Sequence, residues 1–174
     1  MFSGSALLAP LLGLVLACAF HSSEGRGFVI PGTKWCGPGN IANGYDDLGT
    51  ERALDMCCRA HDNCRESIAP EGEIHGLQND GVFPIFSCAC ESAFRNCLTA
   101  LANYQSLFVG RTYFSTKKVC FAFGHPIVSC RETQGDMFEK RCLSYHVDKG
   151  QSQLWQFYDL ALYTHVTKDS AEDP

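Results

Sequence analysis

The sequence has no excess of basic charge, no repeat and no low-complexity linker. It carries 14 Lys and Arg against 19 Asp and Glu, a net charge of −5. That balance argues against a nucleic-acid footprint and against a strong pull toward anionic membrane. There is no Asn-x-Ser/Thr acceptor, so N-glycosylation is not expected. There is no G-x-S-x-G elbow for a nucleophilic serine. No apolar run reaches the roughly 20 residues that span a bilayer. The longest, Leu7 to Phe20, covers 14 residues and suits the apolar region of a signal peptide. It lacks the usual Lys or Arg before it, but Ala17-Cys18-Ala19 fits a small-x-small cleavage site. We therefore expect a signal peptide over 1–19, a short pro-segment over 20–27, a folded domain over 28–160 and an acidic tail over 161–174. No transmembrane segment is expected in the mature chain.

What the sequence has in quantity is cysteine, 11 in 174 residues. Cleavage after Ala19 removes Cys18 and leaves an even number, which in an exported chain implies a disulfide framework. Phe28 to Asn43 is rich in Gly and Pro and reads as loop. Thr50 is placed to cap a helix with Glu51 in its first turn, running to about Arg65. Ile68 to Phe86 reads as a long loop. Cys90 to about Leu107 reads as a second helix, with Phe94, Cys97, Leu98 and Leu101 at helical spacing. From Phe108 onward, β-branched and aromatic residues alternate with turn residues, which predicts short antiparallel strands.

On a helical wheel Cys57, His61 and Cys64 share one face, and Cys58 and Asp62 a second. Cys90 and Cys97 are also seven apart. Pairing Cys57 with Cys97 and Cys64 with Cys90 keeps one antiparallel register, with bridges on both sides of His61. This is a consistency argument among many possible pairings. If Cys58 pairs with Cys36, the loop Trp35-Cys36-Gly37-Pro38-Gly39 is drawn toward Asp62. Alternating glycines let such a loop turn carbonyl oxygens toward one point. Carbonyls plus one carboxylate are the ligands of a hard cation such as Ca²⁺, held weakly, at on the order of 10⁻⁴–10⁻³ M. Beside it, His61 is suited to act as a general base on water, with Glu91 as the acceptor that orients its ring.

Cys57-Cys58-Arg59-Ala60-His61-Asp62-Asn63-Cys64 resembles the CCxxHDxC signature of secreted phospholipase A2 enzymes. Pro31 to Asn40 resembles the calcium loop of the group III, bee-venom-like branch. The resemblance continues through His75-Gly76-Leu77, Cys88-Ala89-Cys90-Glu91, Phe108 to Phe114, His125-Pro126 and Val147-Asp148-Lys149. It implies calcium-dependent hydrolysis of the sn-2 ester of glycerophospholipids at a lipid surface. It implies metal ligands at the carbonyls of Trp35, Gly37 and Gly39 and at the Asp62 carboxylate. It makes His61 the base and Tyr113 the hydroxyl that holds the carboxylate behind it. It implies bridges Cys36–Cys58, Cys57–Cys97, Cys64–Cys90, Cys88–Cys120 and Cys130–Cys142.

The expected fold is mainly α, small and disulfide-rich. Two antiparallel stapled helices carry a calcium loop, followed by short C-terminal antiparallel β strands. The expected product is a secreted, monomeric enzyme whose partner is aggregated phospholipid. One departure stands out: the family has Asp where this chain has Glu91. A weakly active or inactive phospholipase-like protein that binds calcium, lipid or a receptor is the alternative that this substitution raises.

Overall fold

The computed structural model describes residues 28–137 and 139–164. The expected signal peptide, the expected pro-segment and the tail from residue 165 lie outside the described residues. The chain enters through a loop tied back on itself, with Ile30 N–H donating to Cys36 O at 2.8 Å and Ile41 N–H to Lys34 O at 2.8 Å. The first helix, α1, spans Arg52–Asp62. It starts after Glu51 rather than Thr50, and no side chain caps it. The Thr50 hydroxyl instead bonds Gly32 O at 3.4 Å, which ties the loop to the helix start. The buried face of α1 carries Leu54, Asp55, Cys57, Cys58 and His61.

The expected long loop contains two short strand pairs. β1 (Ser67–Ile68), β2 (Glu73–Ile74), β3 (Leu77–Gln78) and β4 (Ile85–Phe86) pair antiparallel as β1 with β4 and β2 with β3. Buried Asn79 holds this excursion together. Its amide donates to Ile68 O, Ala69 O and Phe83 O at 3.0, 3.1 and 2.8 Å. These short pairs carry no alternating pattern, so composition alone reads as loop.

The expected second helix is two. α2 spans Cys88–Leu101, with the Ser87 hydroxyl accepting from Cys90 N–H. Ala102 then takes a left-handed turn with φ 46°, and Asn103 caps α3, Tyr104–Thr116, in a reciprocal capping box with Ser106. Residues 108–116 are therefore helical, where strand was expected. Their β-branched and aromatic content is overridden by packing of Val109 and Phe114 into the core. The Tyr163 ring also seats on Gly110, where an added Cβ would lie 2.7 Å from it.

The strands begin at Val119: β5 (Val119–Gly124), β6 (Ile127–Gly135), β7 (Lys140–Val147) and β8 (Leu154–Asp159). They pair antiparallel as β5 with β8 and β6 with β7. Helices of 11, 14 and 13 residues are matched by strands of 6, 9, 8 and 6 residues. "Mainly α" therefore gives way to a mixed fold in which helices carry the core and strands the C-terminal third. Buried Arg141 on β7 joins the two parts, donating to Lys117 O at 3.1 Å and Leu160 O at 2.9 Å.

All five disulfides form as expected: Cys36–Cys58, Cys57–Cys97, Cys64–Cys90, Cys88–Cys120 and Cys130–Cys142. Cys57–Cys97 joins α1 to α2 and Cys64–Cys90 joins the turn just after α1 to α2, closing sequence separations of 40 and 26 residues. Each stabilises the fold by about 3–4 kcal/mol in the chain-entropy account. Among the described residues no helix is long and apolar enough to cross a membrane.

Candidate active site

The α1–α2 staples lie one turn to either side of His61 and fix its backbone. The imidazole is 5% exposed. It stacks on Phe94 of α2 with ring centroids 4.4 Å apart and lies against Phe86 of β4, also at 4.4 Å. These two apolar walls leave the ring little freedom except at its nitrogens.

Two further residues meet at Nε2. Glu91, in the first turn of α2, is 2% exposed, and its Oε2 lies 3.4 Å from Nε2. The Tyr113 hydroxyl, from α3, lies 3.1 Å from Nε2 and donates to Glu91 Oε1 at 2.8 Å. Burial, and then the Glu91 charge, push the Tyr113 phenol well above its ordinary range. It therefore stays protonated and remains a donor. With the hydroxyl hydrogen directed at Glu91, Nε2 faces two acceptors, the carboxylate and the tyrosine lone pair. The network thus assigns the ring proton to Nε2 and leaves Nδ1, on the other side of the ring, able to accept. Glu91 Oε2 is buried without a hydrogen bond of good geometry. A modest approach of the ring would complete it, and such contacts often tighten when substrate binds.

The glycine loop is shaped by close approaches. A Cβ on Gly37 would lie 2.4 Å from Phe28 O, and Gly39 has φ +84°. The carbonyls of Lys34 and Cys36 are used inside the loop, by Ile41 and Ile30. Among the described residues the alternate carbonyls, of Trp35, Gly37 and Gly39, accept no hydrogen bond. The Cys36–Cys58 bridge anchors this loop one turn before Asp62 on α1. The Asp62 carboxyl is pushed up to about 6, chiefly by desolvation, with His61 pulling it down and Asp55 pushing it up. Its side chain is nevertheless exposed, so water reaches it and relieves part of that push.

Among the described residues no group of three or more His, Cys, Asp and Glu gathers at metal-ligand spacing. Cys57, Cys58 and Cys64 are all committed to disulfides, which removes the thiolates zinc would prefer. Uncommitted carbonyls and a single carboxylate are oxygen donors of the kind a hard cation takes.

The structure thus brings His61, Glu91 and Tyr113 into one cluster and sets Trp35, Gly37 and Gly39 on the bridged loop. Tyr113 arrives on a helix rather than a strand. Among the described residues, His75 stacks on Trp155 with centroids 3.9 Å apart, and His125 Nδ1 lies 3.0 Å from Gln151 O. Phe28 is 74% exposed, whereas Ile30 packs on the core edge. Sequence reasoning missed Asp55, which is fully buried beneath the loop. Its signal was a lone carboxylate on the apolar face of α1.

The phospholipase A2 family model matches residues 29–124. The chain is 40% identical over 137 residues to a phospholipase A2 of Bombus pensylvanicus, covering 78% of this chain and 99% of that protein. It is 39% identical over 139 residues to that of Apis mellifera, covering 78% and 80%. It is 45% identical over 95 residues to phospholipase A2 isozymes of Heloderma suspectum, covering 54% and 66%.

Proposed function

Since the chain belongs to the phospholipase A2 family and is a phospholipid-hydrolysing enzyme of the group III type, we propose that it cleaves the sn-2 ester of glycerophospholipids in a calcium-dependent reaction with His61 as general base. The observation that carries this reading is the Tyr113–Glu91–His61 cluster, whose two oxygens beside Nε2 favour a ring proton there and an accepting Nδ1.

The carbonyls of Trp35, Gly37 and Gly39 and the carboxylate of Asp62 would hold the calcium. When bound, calcium supplies positive charge that polarises the ester carbonyl and stabilises the oxyanion. His61 Nδ1 accepts a proton as water attacks the sn-2 carbonyl carbon. The ring becomes cationic, and buried Glu91 beside Nε2 offsets that charge. Tyr113 pins the Glu91 carboxylate so that it does not follow the ring. As the tetrahedral intermediate collapses, Nδ1–H returns its proton to the departing glycerol oxygen, releasing a fatty acid and a lysophospholipid. Phe86 and Phe94 keep bulk water off the ring faces.

We place the hydrolase domain at 28–160, after a signal peptide over 1–19 and a pro-segment over 20–27, with 161–174 as a tail. The enzyme is read as a secreted monomer working on aggregated phospholipid. With a net charge of −5, that encounter depends on apolar contact more than on basic patches.

The test is fatty-acid release from phosphatidylcholine vesicles by the mature chain, in millimolar calcium and in excess chelator. Release is expected with calcium and should fall by about 10²-fold or more with chelator. Equal release in chelator would remove calcium from the mechanism.

Glu91 is the second point of test. The Glu91 carboxylate accepts from Tyr113 at 2.8 Å and lies 3.4 Å from His61 Nε2, and we read the longer side chain as able to serve. Glu91→Asp is expected to leave kcat unchanged or to lower it, by up to about tenfold, because a shortened carboxylate withdraws from the ring. Steady-state kinetics decide it. A tenfold gain would show that the natural residue handicaps the enzyme.

A further inference from the structure

The side chain of Asp55 has no exposure and sits on α1 beside Leu54 and Cys57. A buried carboxylate without partners would be strongly destabilising. This one is satisfied entirely by backbone amides of the loop above it. Lys34 N–H donates to Oδ1 at 2.9 Å and Oδ2 at 3.0 Å, Trp35 N–H to Oδ1 at 2.7 Å, and Gly49 N–H to Oδ2 at 2.8 Å. The three amides come from both ends of the 34–49 segment, so one side chain closes the loop on α1. Trp35 is also one of the residues whose carbonyl is read above as a cation ligand. Its indole N–H reaches Asp47 O at 3.0 Å, and Lys34 Nζ pairs with Asp47, which braces the same loop from within.

We propose that Asp55 is a positioning residue that forms the Trp35–Gly39 loop before any cation arrives. The loop is preorganised by a buried carboxylate rather than by the metal. This inference rests on the reading of that loop as the calcium site. Asp55 touches neither substrate nor the bound ion. It acts through Lys34, Trp35 and Gly49, and it lowers the ordering cost of binding. Its charge lies seven residues from Asp62 on the same helix, close enough for the two carboxylates to influence each other.

The experiment has two arms, with exchange and calcium binding measured without lipid and turnover measured on phosphatidylcholine vesicles. Amide hydrogen exchange of the wild-type chain in chelator is expected to show Lys34, Trp35 and Gly49 protected by about 10²-fold or more. Free exchange of these amides until calcium is added would overturn the proposal, because the metal would then be forming the loop. In the second arm, calorimetric titration with calcium compares wild type with Asp55→Asn. The variant is expected to weaken calcium binding by about tenfold or more, while kcat at saturating calcium returns to within about threefold of wild type. A folded variant with unchanged calcium affinity would overturn the proposal. If Asp55→Asn fails to fold, the wild-type exchange arm decides alone. Failure of wild type to bind calcium would instead remove the calcium reading, and exchange in chelator would still decide what orders the loop.

Discussion

Replacing His61 by Gln is expected to lower kcat for fatty-acid release by about 10³-fold, within the range attributed to a positioned general base. Gln is of similar length, and its amide can still donate toward Glu91. It cannot accept a proton from water and return it to the leaving oxygen. The variant keeps all five disulfides, and its new side chain lies between the same rings of Phe94 and Phe86. Calcium affinity should hardly change, because none of the proposed ligands is touched. The loss should therefore fall on kcat and leave the calcium requirement in place. The measurement is the initial rate on phosphatidylcholine vesicles, with calcium titration as control. A variant within tenfold of wild type would show that another group activates the water.

The part of this site that was legible in the sequence lies close together along the chain. Cys57, His61 and Cys64 share a helical face by spacing alone, and the seven-residue spacing of Cys90 and Cys97 is consistent with one antiparallel register. The structure reproduces both bridges. Tyr113 was legible only through the family resemblance. Spacing put it on a strand, because nothing local marks Ala102 as a left-handed turn. The Asn103–Ser106 box is the local signal for a new helix, but composition on its two sides reads as one helix and then strands, which hides α3. Asp55, Asn79 and Arg141 were not legible as structural centres, because what each one bonds lies in loop backbone or in distant elements. Backbone amides and carbonyls are the same at every position, so sequence carries no mark of which ones a buried polar group will collect.

Replacing Asp62 by Asn is expected to abolish measurable calcium binding and to lower fatty-acid release at millimolar calcium by about 10²–10³-fold. Asn keeps an oxygen of similar reach but removes the only formal charge among the proposed ligands. The same carboxyl gives the calcium response a pH signature. Its pKa is raised from 3.8 to about 6 in the metal-free fold, mainly by desolvation. A folded-state value above the unfolded one means the metal-free fold holds this proton more tightly. From this group, the metal-free fold loses stability as pH rises from about 4 to about 6. Calcium opposes that loss because it binds the ionised form and takes the proton's place. The calcium-induced rise in Tm should thus be small at pH 5 and full above about pH 7. Below the midpoint, affinity should fall about tenfold per pH unit. Solvent access to Asp62 places the midpoint at 6 or somewhat lower. In Asp62→Asn, thermal melts with and without calcium should coincide at every pH. A persistent calcium shift with the same pH midpoint would mean that another carboxylate holds the ion, and the ligand set drawn from α1 would have to be abandoned.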